Sequence, residues 1–287
     1  MDKSLQLAIE NLASHGNSFG LPAKARPRWT ERLRFSIKDA RKEAVRYLWF
    51  VGDFASYEPR AMEATRSAAR VFHRAGLDFG ILYEGESNSG NDLHLAGQER
   101  LFEVLHEKNL RGLSKARFTE IVTTDPHSYQ ALKYDYPEAV GERPVWHHTQ
   151  LLGELIATGA LTVRHRLRMP VTYHDSCYLG RYNAIFGAPR RLIAALGLTL
   201  VEMPRNRTYS YCCGAGGGRI WMENPPAIQE PPALVRVREA AMLEGVHTLA
   251  VACPKDLVTF QGAIRAAGLT GRLEVKELSE LVEQAVM

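Results

Sequence analysis

The sequence predicts an α/β protein built as two tandem lobes, each a short parallel sheet flanked by helices. Apolar strand-like runs alternate with amphipathic helix-like runs along the chain, the order typical of parallel βαβ units. With 287 residues the chain is long enough for two compact domains. Hydrophobic residues make up 45% of the chain and charged residues 24%, which excludes long disordered segments.

The second half of the chain shows the alternation most clearly. A β-branched and aromatic run over Val171–Cys177 ends at a cysteine. A helix-like segment then ends at Gly197, a typical C-cap, and the strand-like run LTLVEM follows it. Another helix-like segment ends near Gly245, and the run TLAVA leads from there into Cys253.

The first half repeats this plan without cysteines. A strand-like run ends at Asp53, and the helix after it ends at Gly76. The next strand-like run leads into a polar loop that contains Asn88–Gly90, and a further one runs into Asp125–Pro126. These polar residues occupy the places that cysteines occupy in the second half.

The spacing between these residues predicts an internal duplication. Asp53 aligns with Cys177, and 34 residues separate each from the loop that aligns Asn88-Ser89-Gly90 with Cys212-Cys213-Gly214. The next interval, to Asp125-Pro126 and to Cys253-Pro254, is 35 residues in the first half and 39 in the second. We therefore predict lobes at 36–150 and 151–287, related by a pseudo-twofold axis, after a connector at 1–35.

The four cysteines favour metal binding over disulfides. Structural disulfides are rare in large intracellular proteins, and a bond between adjacent cysteines would distort the peptide that joins them. Cysteines that act as small hydrophobes would favour positions inside strands. Here they follow the ends of predicted strands, where open α/β sheets bind ligands. The four residues are Cys177, Cys212, Cys213 and Cys253.

Charge and hydropathy exclude two other classes of function. The net charge is only +4 and the arginines are spread along the chain, so there is no nucleic-acid signature. No stretch resembles a signal peptide or approaches the ~20 apolar residues of a membrane span. We expect a cytoplasmic protein, with membrane association only through partners.

Three motifs together resemble the cysteine-rich CCG domain found in the B-type subunit of heterodisulfide reductase. They are HDSCYLGR, CCGAGGG and ACPKD, and they also resemble the C-terminal part of iron–sulfur oxidoreductases similar to the D-type subunit of that enzyme. The resemblance implies two CCG-type lobes and an iron–sulfur cluster bound by Cys177, Cys212, Cys213 and Cys253. In that family such a cluster, in some members a noncubane [4Fe-4S] assembly, reduces or forms a disulfide.

The sequence departs from the family pattern at two points. The family's last motif is C-P-x-C, whereas Asp256 stands here at the position of the final cysteine. The first repeat has no cysteine at all, so one cluster at most is expected. Four thiolates suit a cubane or a noncubane [4Fe-4S] cluster, and four also suit tetrahedral Zn²⁺. A zinc-binding or metal-free scaffold subunit of a redox complex is therefore the alternative function.

Several residues near the cysteines are candidates for supporting roles. Asp256 is a candidate oxygen ligand or, alternatively, the N-cap of the next helix. Gly214 and Gly216 are expected to let the backbone approach the cluster and donate amide hydrogen bonds to it, or simply to form a flexible turn.

Three basic residues are candidates for catalytic roles. His174 can carry protons to a thiol, and Arg181 and Lys255 can hold an anionic substrate or balance the cluster's charge. The alternative for each is a purely structural hydrogen bond. His147 and His148 are expected at the surface or as helix caps.

The resemblance also implies partner subunits. Reducing a disulfide takes two electrons, and a single cluster moves one at a time. The expected partners are a ferredoxin-type [4Fe-4S] protein similar to the C-type subunit of heterodisulfide reductase and a flavoprotein, with a thiol/disulfide or a sulfur carrier as substrate. The segment NLASHGNSFGLPAKARPRW is similar to the connector after the ferredoxin-type domain of fused relatives. We therefore predict a docking surface at Asn17–Trp29, the alternative being a loop that packs on its own lobe.

Overall fold

The computed structural model describes residues 2–223, 228 and 230–287, which form two all-parallel sheets flanked by helices. The first sheet and its helices comprise α1 (Lys3–His15), β1 (Lys38–Asp39), β2 (Val45–Trp49), α2 (Asp53–Tyr57), α3 (Pro59–Arg74), β3 (Phe79–Ile81), α4 (Asn91–Leu95), α5 (Glu99–Lys115), β4 (Phe118–Thr123), α6 (Pro126–Tyr134), α7 (Pro137–Val140), β5 (Val145–His147) and α8 (His148–Ala157). The second comprise β6 (Pro170–Tyr173), α9 (Gly187–Ala195), β7 (Thr199–Leu200), α10 (Pro232–Ala241), β8 (Thr248–Val251), α11 (Pro254–Ala266), β9 (Glu274–Glu277) and α12 (Leu278–Val286).

The two sheets repeat one strand order. The first sheet runs β1-β3-β2-β4-β5 and the second runs β7-β6-β8-β9. Without the short edge strand β1, both follow the same sequence of neighbours, and every pair is parallel. This confirms the α/β class and the tandem parallel sheets. The pseudo-twofold axis stays a prediction, as do the lobe limits, of which the one at 150/151 falls within α8.

One hydrophobic core extends across both sheets. Trp49 and Phe72 of the first lobe belong to the same buried cluster as Val171, Tyr173 and Leu281 of the second. Amphipathic helix α12 returns to the first lobe and packs on α3.

Polar contacts fix the packing of these two helices. Arg60 Nη2 lies 2.7 Å from Glu280 Oε2, and Ser279 Oγ donates to the carbonyl of Ala64 at 3.1 Å. The lobes therefore share a continuous apolar contact reinforced by hydrogen bonds.

The predicted docking surface at Asn17–Trp29 is partly buried in the chain's own first lobe. Asn17, Ser18, Arg26 and Trp29 are at most 5% exposed, and Asn17 Nδ2 donates to the carbonyl of Leu21 at 2.6 Å. The docking prediction is wrong for these residues, since their side chains cannot contact a partner. Within the segment, the consecutive exposed residues are 21–24.

The two adjacent histidines lie inside the protein where the lobes meet. Both His147 and His148 are fully buried, so the expectation of a surface position is wrong. His147 is the N-cap residue of α8, and its backbone N–H donates to Gln150 Oε1 at 3.0 Å. His148 Nε2 lies 2.8 Å from Glu277 Oε1, the N-cap residue of α12. Across the described residues, no helix combines the length and the apolar character that crossing a bilayer requires.

Candidate metal centre

All four cysteines follow strands at the carboxyl edge of the second sheet. Cys177 lies in the turn after β6, Cys212 and Cys213 lie in the long segment after β7, and Cys253 is the N-cap residue of α11 after β8. Cys213 and Cys253 are buried, whereas Cys177 and Cys212 are partly exposed. The strand ends predicted from the sequence are confirmed, and the sheet topology brings the four residues to one edge.

Backbone amides surround the vicinal pair because the chain turns tightly after it. The N–H of Gly214 donates to Cys212 Sγ at 3.3 Å, and the N–H of Ala215 donates to Cys213 Sγ at 3.4 Å. Gly214 adopts a φ of +82°, which a residue with a side chain would rarely adopt. Gly216 lacks a positive φ, and a Cβ there would lie 3.8 Å from His127 Cε1. The run of glycines thus aims amide donors at sulfur, which lowers the cost of negative charge there.

The four thiols differ in the direction of their pKa shifts. Hydrogen bonds from the thiols of Cys177 and Cys213 lower the pKa of Cys212 far below its ordinary value. The hydrogen bond to Cys212, together with burial, raises the pKa of Cys177 and of Cys213. Burial raises the pKa of Cys253 as well. A bound metal or cluster would favour the thiolate form of all four.

Asp256 lies beside the cysteines with an unsatisfied oxygen. The residue is 2% exposed, and burial raises the pKa of its carboxyl group to about 7. Its Oδ2 atom has no hydrogen-bond partner among the described residues. Because α11 begins at Pro254 and Cys253 is its N-cap residue, the alternative of Asp256 as an N-cap is wrong. A buried, unpartnered carboxylate oxygen next to sulfur ligands fits a site built for a positively charged group.

His174 is held between an arginine and Asp256. It is 1% exposed, and its Nδ1 atom accepts a hydrogen bond from Arg236 Nε at 3.2 Å. Its Nε2 atom lies 3.7 Å from Asp256 Oδ2, and Phe260 packs against the ring edge-to-face at 4.7 Å. Burial and the Arg236 charge lower the pKa of His174 well below its ordinary value. Arg236 was not predicted from the sequence. The feature that could have identified it is the position of an arginine on the buried face of α10.

The two other basic candidates have partners away from the sulfur atoms. Arg181 is exposed, and its Nη1 atom donates to the carbonyl of Ser210 at 2.6 Å, which ties down the segment before Cys212. Lys255 is buried and its Nζ atom donates to Asp92 Oδ2 of the first lobe. Both contacts agree with the structural alternative for these residues, and their catalytic role stays a prediction.

The cysteine-free lobe contributes to the edge of the site through Asp92 and His127. Asp92 Oδ1 accepts the N–H of Gly217 at 3.2 Å and lies 3.3 Å from His127 Nδ1. Burial acts to raise the pKa of Asp92, but the charges of Lys255 and His127 outweigh it and hold the pKa far below the ordinary value. The sequence analysis missed both first-lobe residues, because only tertiary packing brings α4 and α6 against the glycine run.

No three of the four described cysteine sulfur atoms lie within 4.8 Å of one another, although the thiol of Cys212 is hydrogen-bonded to those of Cys177 and Cys213. Zn–S bonds of about 2.3 Å in a tetrahedron separate sulfur atoms by about 3.8 Å. Among the described residues, the ligand atoms that lie within 4.8 Å of one another in a group of three are those of His174, Cys213 and Asp256. The four thiols suit an iron–sulfur cluster or a zinc tetrathiolate.

Comparisons with known proteins agree with the character of this site. Residues 171–261 match the family model described as a cysteine-rich domain, CCG, and this range contains all four cysteines. The chain is 36% identical over 294 residues to the probable iron–sulfur-binding oxidoreductase FadF of Bacillus subtilis (strain 168). That alignment covers the whole chain and 41% of the relative.

Two further relatives are named as oxidoreductases or as parts of one. The EtfAB:quinone oxidoreductase of Syntrophomonas wolfei is 28% identical over 294 residues, which cover the whole chain and 41% of that protein. The D-type subunit of the dihydromethanophenazine:CoB–CoM heterodisulfide reductase of Methanosarcina acetivorans is 30% identical over 285 residues, which cover 96% of the chain and 66% of that protein. The chain thus spans about two fifths of the length of the first two relatives.

Proposed function

This chain carries a CCG cysteine-rich domain and is related to the D-type subunit of heterodisulfide reductase and to FadF-like iron–sulfur oxidoreductases, and from that premise we propose that it is the cluster-bearing part of a disulfide-active reductase. One [4Fe-4S]-type cluster is bound by Cys177, Cys212, Cys213 and Cys253. The observation that carries this proposal is the convergence of four thiols, with amide donors to Cys212 and Cys213, at one strand edge.

The cofactor assignment is supported by the chemistry of the donor set. Iron–sulfur clusters are held by thiolates, commonly four, and hydrogen bonds to sulfur tune their potentials. Asp256 is retained as an additional candidate ligand, since its free oxygen lies beside Cys213. When bound, the cluster supplies one-electron transfer at the sheet edge.

The redox step that we propose is the interconversion of a disulfide and two thiols. Reduction of R–S–S–R breaks the S–S bond, consumes two electrons and two protons, and releases two R–SH. A persulfide bound to a sulfur carrier fits the same balance, since its S–S bond is also cleaved. Cys177 and Cys212 are the partly exposed sulfur positions, so they face the substrate side of the site.

Electrons must come from partners, because the chain has one candidate cluster site among its described residues. We propose a ferredoxin-type [4Fe-4S] subunit or domain as the immediate donor and a flavoprotein beyond it. The names of two relatives, a reductase subunit and an EtfAB:quinone oxidoreductase, support such an assembly. The name of another relative, a probable membrane-anchored ferredoxin of Chromohalobacter salexigens, supports membrane association through partners.

Anaerobic purification followed by metal and sulfide analysis tests the proposal. The expected result is about four iron and four sulfide per chain and an electronic absorption band in the visible range that bleaches on reduction. The as-purified protein is then reduced and mixed with a disulfide, and free thiol is counted. Stoichiometric zinc, or no metal in freshly prepared protein, would contradict the cluster assignment. An intact cluster with no thiol release, even with the ferredoxin-type donor present, would contradict only the disulfide chemistry.

A further inference from the structure

Arg236 is a fully buried arginine whose side chain spans the second lobe behind the cysteines. It projects from α10, and its Nη1 atom donates to the carbonyl of Arg205 at 2.8 Å and to Glu239 Oε2 at 3.0 Å. Its Nη2 atom lies 3.4 Å from Ser210 Oγ, which in turn donates to the carbonyl of Asp175. These contacts fix the guanidinium plane, so the direction of the remaining Nε–H is fixed too.

That Nε–H is directed at His174. Arginine has five N–H donors and no acceptor, so the Nδ1 atom of His174, 3.2 Å away, must present its lone pair. A neutral imidazole carries one proton, and with Nδ1 as the acceptor that proton sits on Nε2. We infer that Arg236 locks His174 in the Nε2–H tautomer, which makes His174 a fixed N–H donor to the metal centre and not a ligand of it.

On the other side of the ring, Nε2 faces Asp256. Nε2 lies 3.7 Å from Asp256 Oδ2, the buried oxygen without a partner, and a ring nitrogen lies within 4.8 Å of both Asp256 and Cys213 Sγ. By residue type alone these three side chains form a metal-binding set. The arginine occupies the lone pair that the histidine would need for metal binding, so an N–H group and not a lone pair faces the free oxygen of Asp256.

A fixed N–H dipole near sulfur stabilises added negative charge, so it raises the reduction potential of a bound cluster. This role rests on the proposed function, whereas the tautomer itself does not. Arg236 is thus a positioning residue that acts through His174. It is also well placed to keep the segment from Arg205 to Ser210 in register with Cys212.

The first experiment examines the wild-type protein with ¹⁵N-labelled histidine. In the reduced holoprotein, pulsed EPR is expected to show only the weak ¹⁵N couplings of hydrogen-bonded nitrogen. A strong coupling typical of iron-bound nitrogen, absent from His174→Phe, would overturn the inference. If the protein proves to hold zinc or no metal, it is diamagnetic, and two-bond ¹H–¹⁵N correlations report the tautomer directly. An Nδ1–H tautomer would then overturn the inference independently of the proposed function.

The second experiment is a double-variant cycle on the reduction potential. His174→Phe keeps an aromatic ring packed on Phe260 but removes the N–H donor. Arg236→Met removes the hydrogen bond to His174, while Glu239 keeps Arg205 as an ion-pair partner at 2.9 Å. Both variants are expected to shift the potential to more negative values, and Arg236→Met is expected to shift it less in the His174→Phe background. An equal shift in both backgrounds would mean that Arg236 acts by its own charge and would overturn the positioning role.

Arg205→Met is the matched control for the second experiment. It disturbs the same Glu239 network but leaves the hydrogen bond from Arg236 to His174 in place, so its potential is expected to match the wild type. A shift as large as that of Arg236→Met would show that the network, and not the histidine, sets the potential. If Arg236→Met does not fold, the wild-type EPR measurement still decides whether His174 is a ligand of the cluster.

Discussion

The two lobes contain the same turn, whose backbone amide donates to a sulfur atom in the second lobe and to a side-chain amide oxygen in the first. In the second lobe the N–H of Gly214 donates to Cys212 Sγ at 3.3 Å, and Gly214 has a φ of +82°. In the first lobe the N–H of Gly90 donates to Asn88 Oδ1 at 2.8 Å, and Gly90 has a φ of +84°. The contact between Cys177 and Cys212 likewise has a counterpart, in which Asn88 Nδ2 donates to Asp53 Oδ2 at 3.0 Å. These matched contacts support the alignment predicted from spacing.

The third pair of aligned residues agrees as well. Asp125 and Cys253 are both N-cap residues, and each is followed by a proline that begins a helix, α6 or α11. In the first lobe the Asp125 carboxylate caps the helix by accepting the N–H groups of His127 and Ser128. In the second lobe the side chain of Cys253 makes no such capping hydrogen bond, so its sulfur is available to bind a metal.

The lobes differ in how their charges are neutralised. The first lobe fills its edge with its own connector, since Arg26 contacts Asp53 at 3.2 Å and Glu86 at 2.8 Å, and Ser18 Oγ donates to Asp53 at 2.6 Å. In the second lobe the buried cations Lys255 and Arg236 pair with Asp92 and Glu239, and Asp256 keeps a free oxygen. The first lobe thus neutralises its buried carboxylates with its own arginine. Its Asp92 contacts the second lobe through Lys255 and the N–H of Gly217.

The largest effect is expected from Cys213→Ser. Serine replaces a thiolate ligand by a harder, poorly ionised hydroxyl, so the iron content should fall to near zero or the cluster should convert to a form with fewer irons. Iron analysis and EPR measure this change. The matched control is Ser89→Ala at the aligned position of the first lobe, which should keep the full iron content. A cluster of wild-type composition in Cys213→Ser would remove Cys213 from the ligand set.

Arg26→Met should produce the largest loss of stability in the first lobe. It leaves the buried carboxylates of Asp53 and Glu86 without their guanidinium, at a cost of about 3–5 kcal/mol in the free energy of unfolding. Urea titration followed by circular dichroism measures the loss, and adding Glu86→Gln should recover part of it. Iron per folded chain should be unchanged. A variant as stable as the wild type would show that the carboxylates do not depend on Arg26.

Asp92→Asn should weaken the contact between the lobes by a smaller amount. The buried ammonium of Lys255 loses its carboxylate, although the asparagine oxygen can still accept the N–H of Gly217. We expect a loss of about 1–3 kcal/mol, read as a lower melting temperature. The control Glu107→Gln breaks only the exposed ion pair with Arg111 and should change stability by less than about 0.5 kcal/mol. Equal effects of the two variants would contradict a structural role for Asp92.

The smallest effect is expected from Asn88→Ala. It removes one hydrogen bond to Asp53 and one from the N–H of Gly90, and Asp53 keeps Ser18 and Arg26. We expect a loss of about 1 kcal/mol without loss of iron. The corresponding Cys212→Ala should lose the cluster, so the pair of variants compares one turn in its two roles. Loss of iron in Asn88→Ala would show that the first lobe takes part in cluster binding.

Local patterns in the sequence determined the fold class and the positions of the cysteines. Strand-like runs that end at Cys177 and Cys253 were sufficient to place both residues at strand ends, because the direction of a parallel sheet brings such ends to one edge. The identical spacing of 34 residues, from Asp53 in the first half and from Cys177 in the second, was sufficient to align Asn88 with Cys212. Each of these features depends on residues that are close in sequence.

Tertiary packing alone decided which distant side chains complete the site. Arg236 reaches His174 across 62 positions, and Lys255 reaches Asp92 across 163. The connector segment from Asn17 to Trp29 resembled a docking surface, yet Arg26 is buried because Asp53 and Glu86 provide its charge partners. His147 and His148 have the composition of a polar surface pair, and only tertiary packing, which brings His148 against Glu277 of the second lobe, encloses them. Burial and pairing of charges depend on the whole chain, so no local pattern contains them.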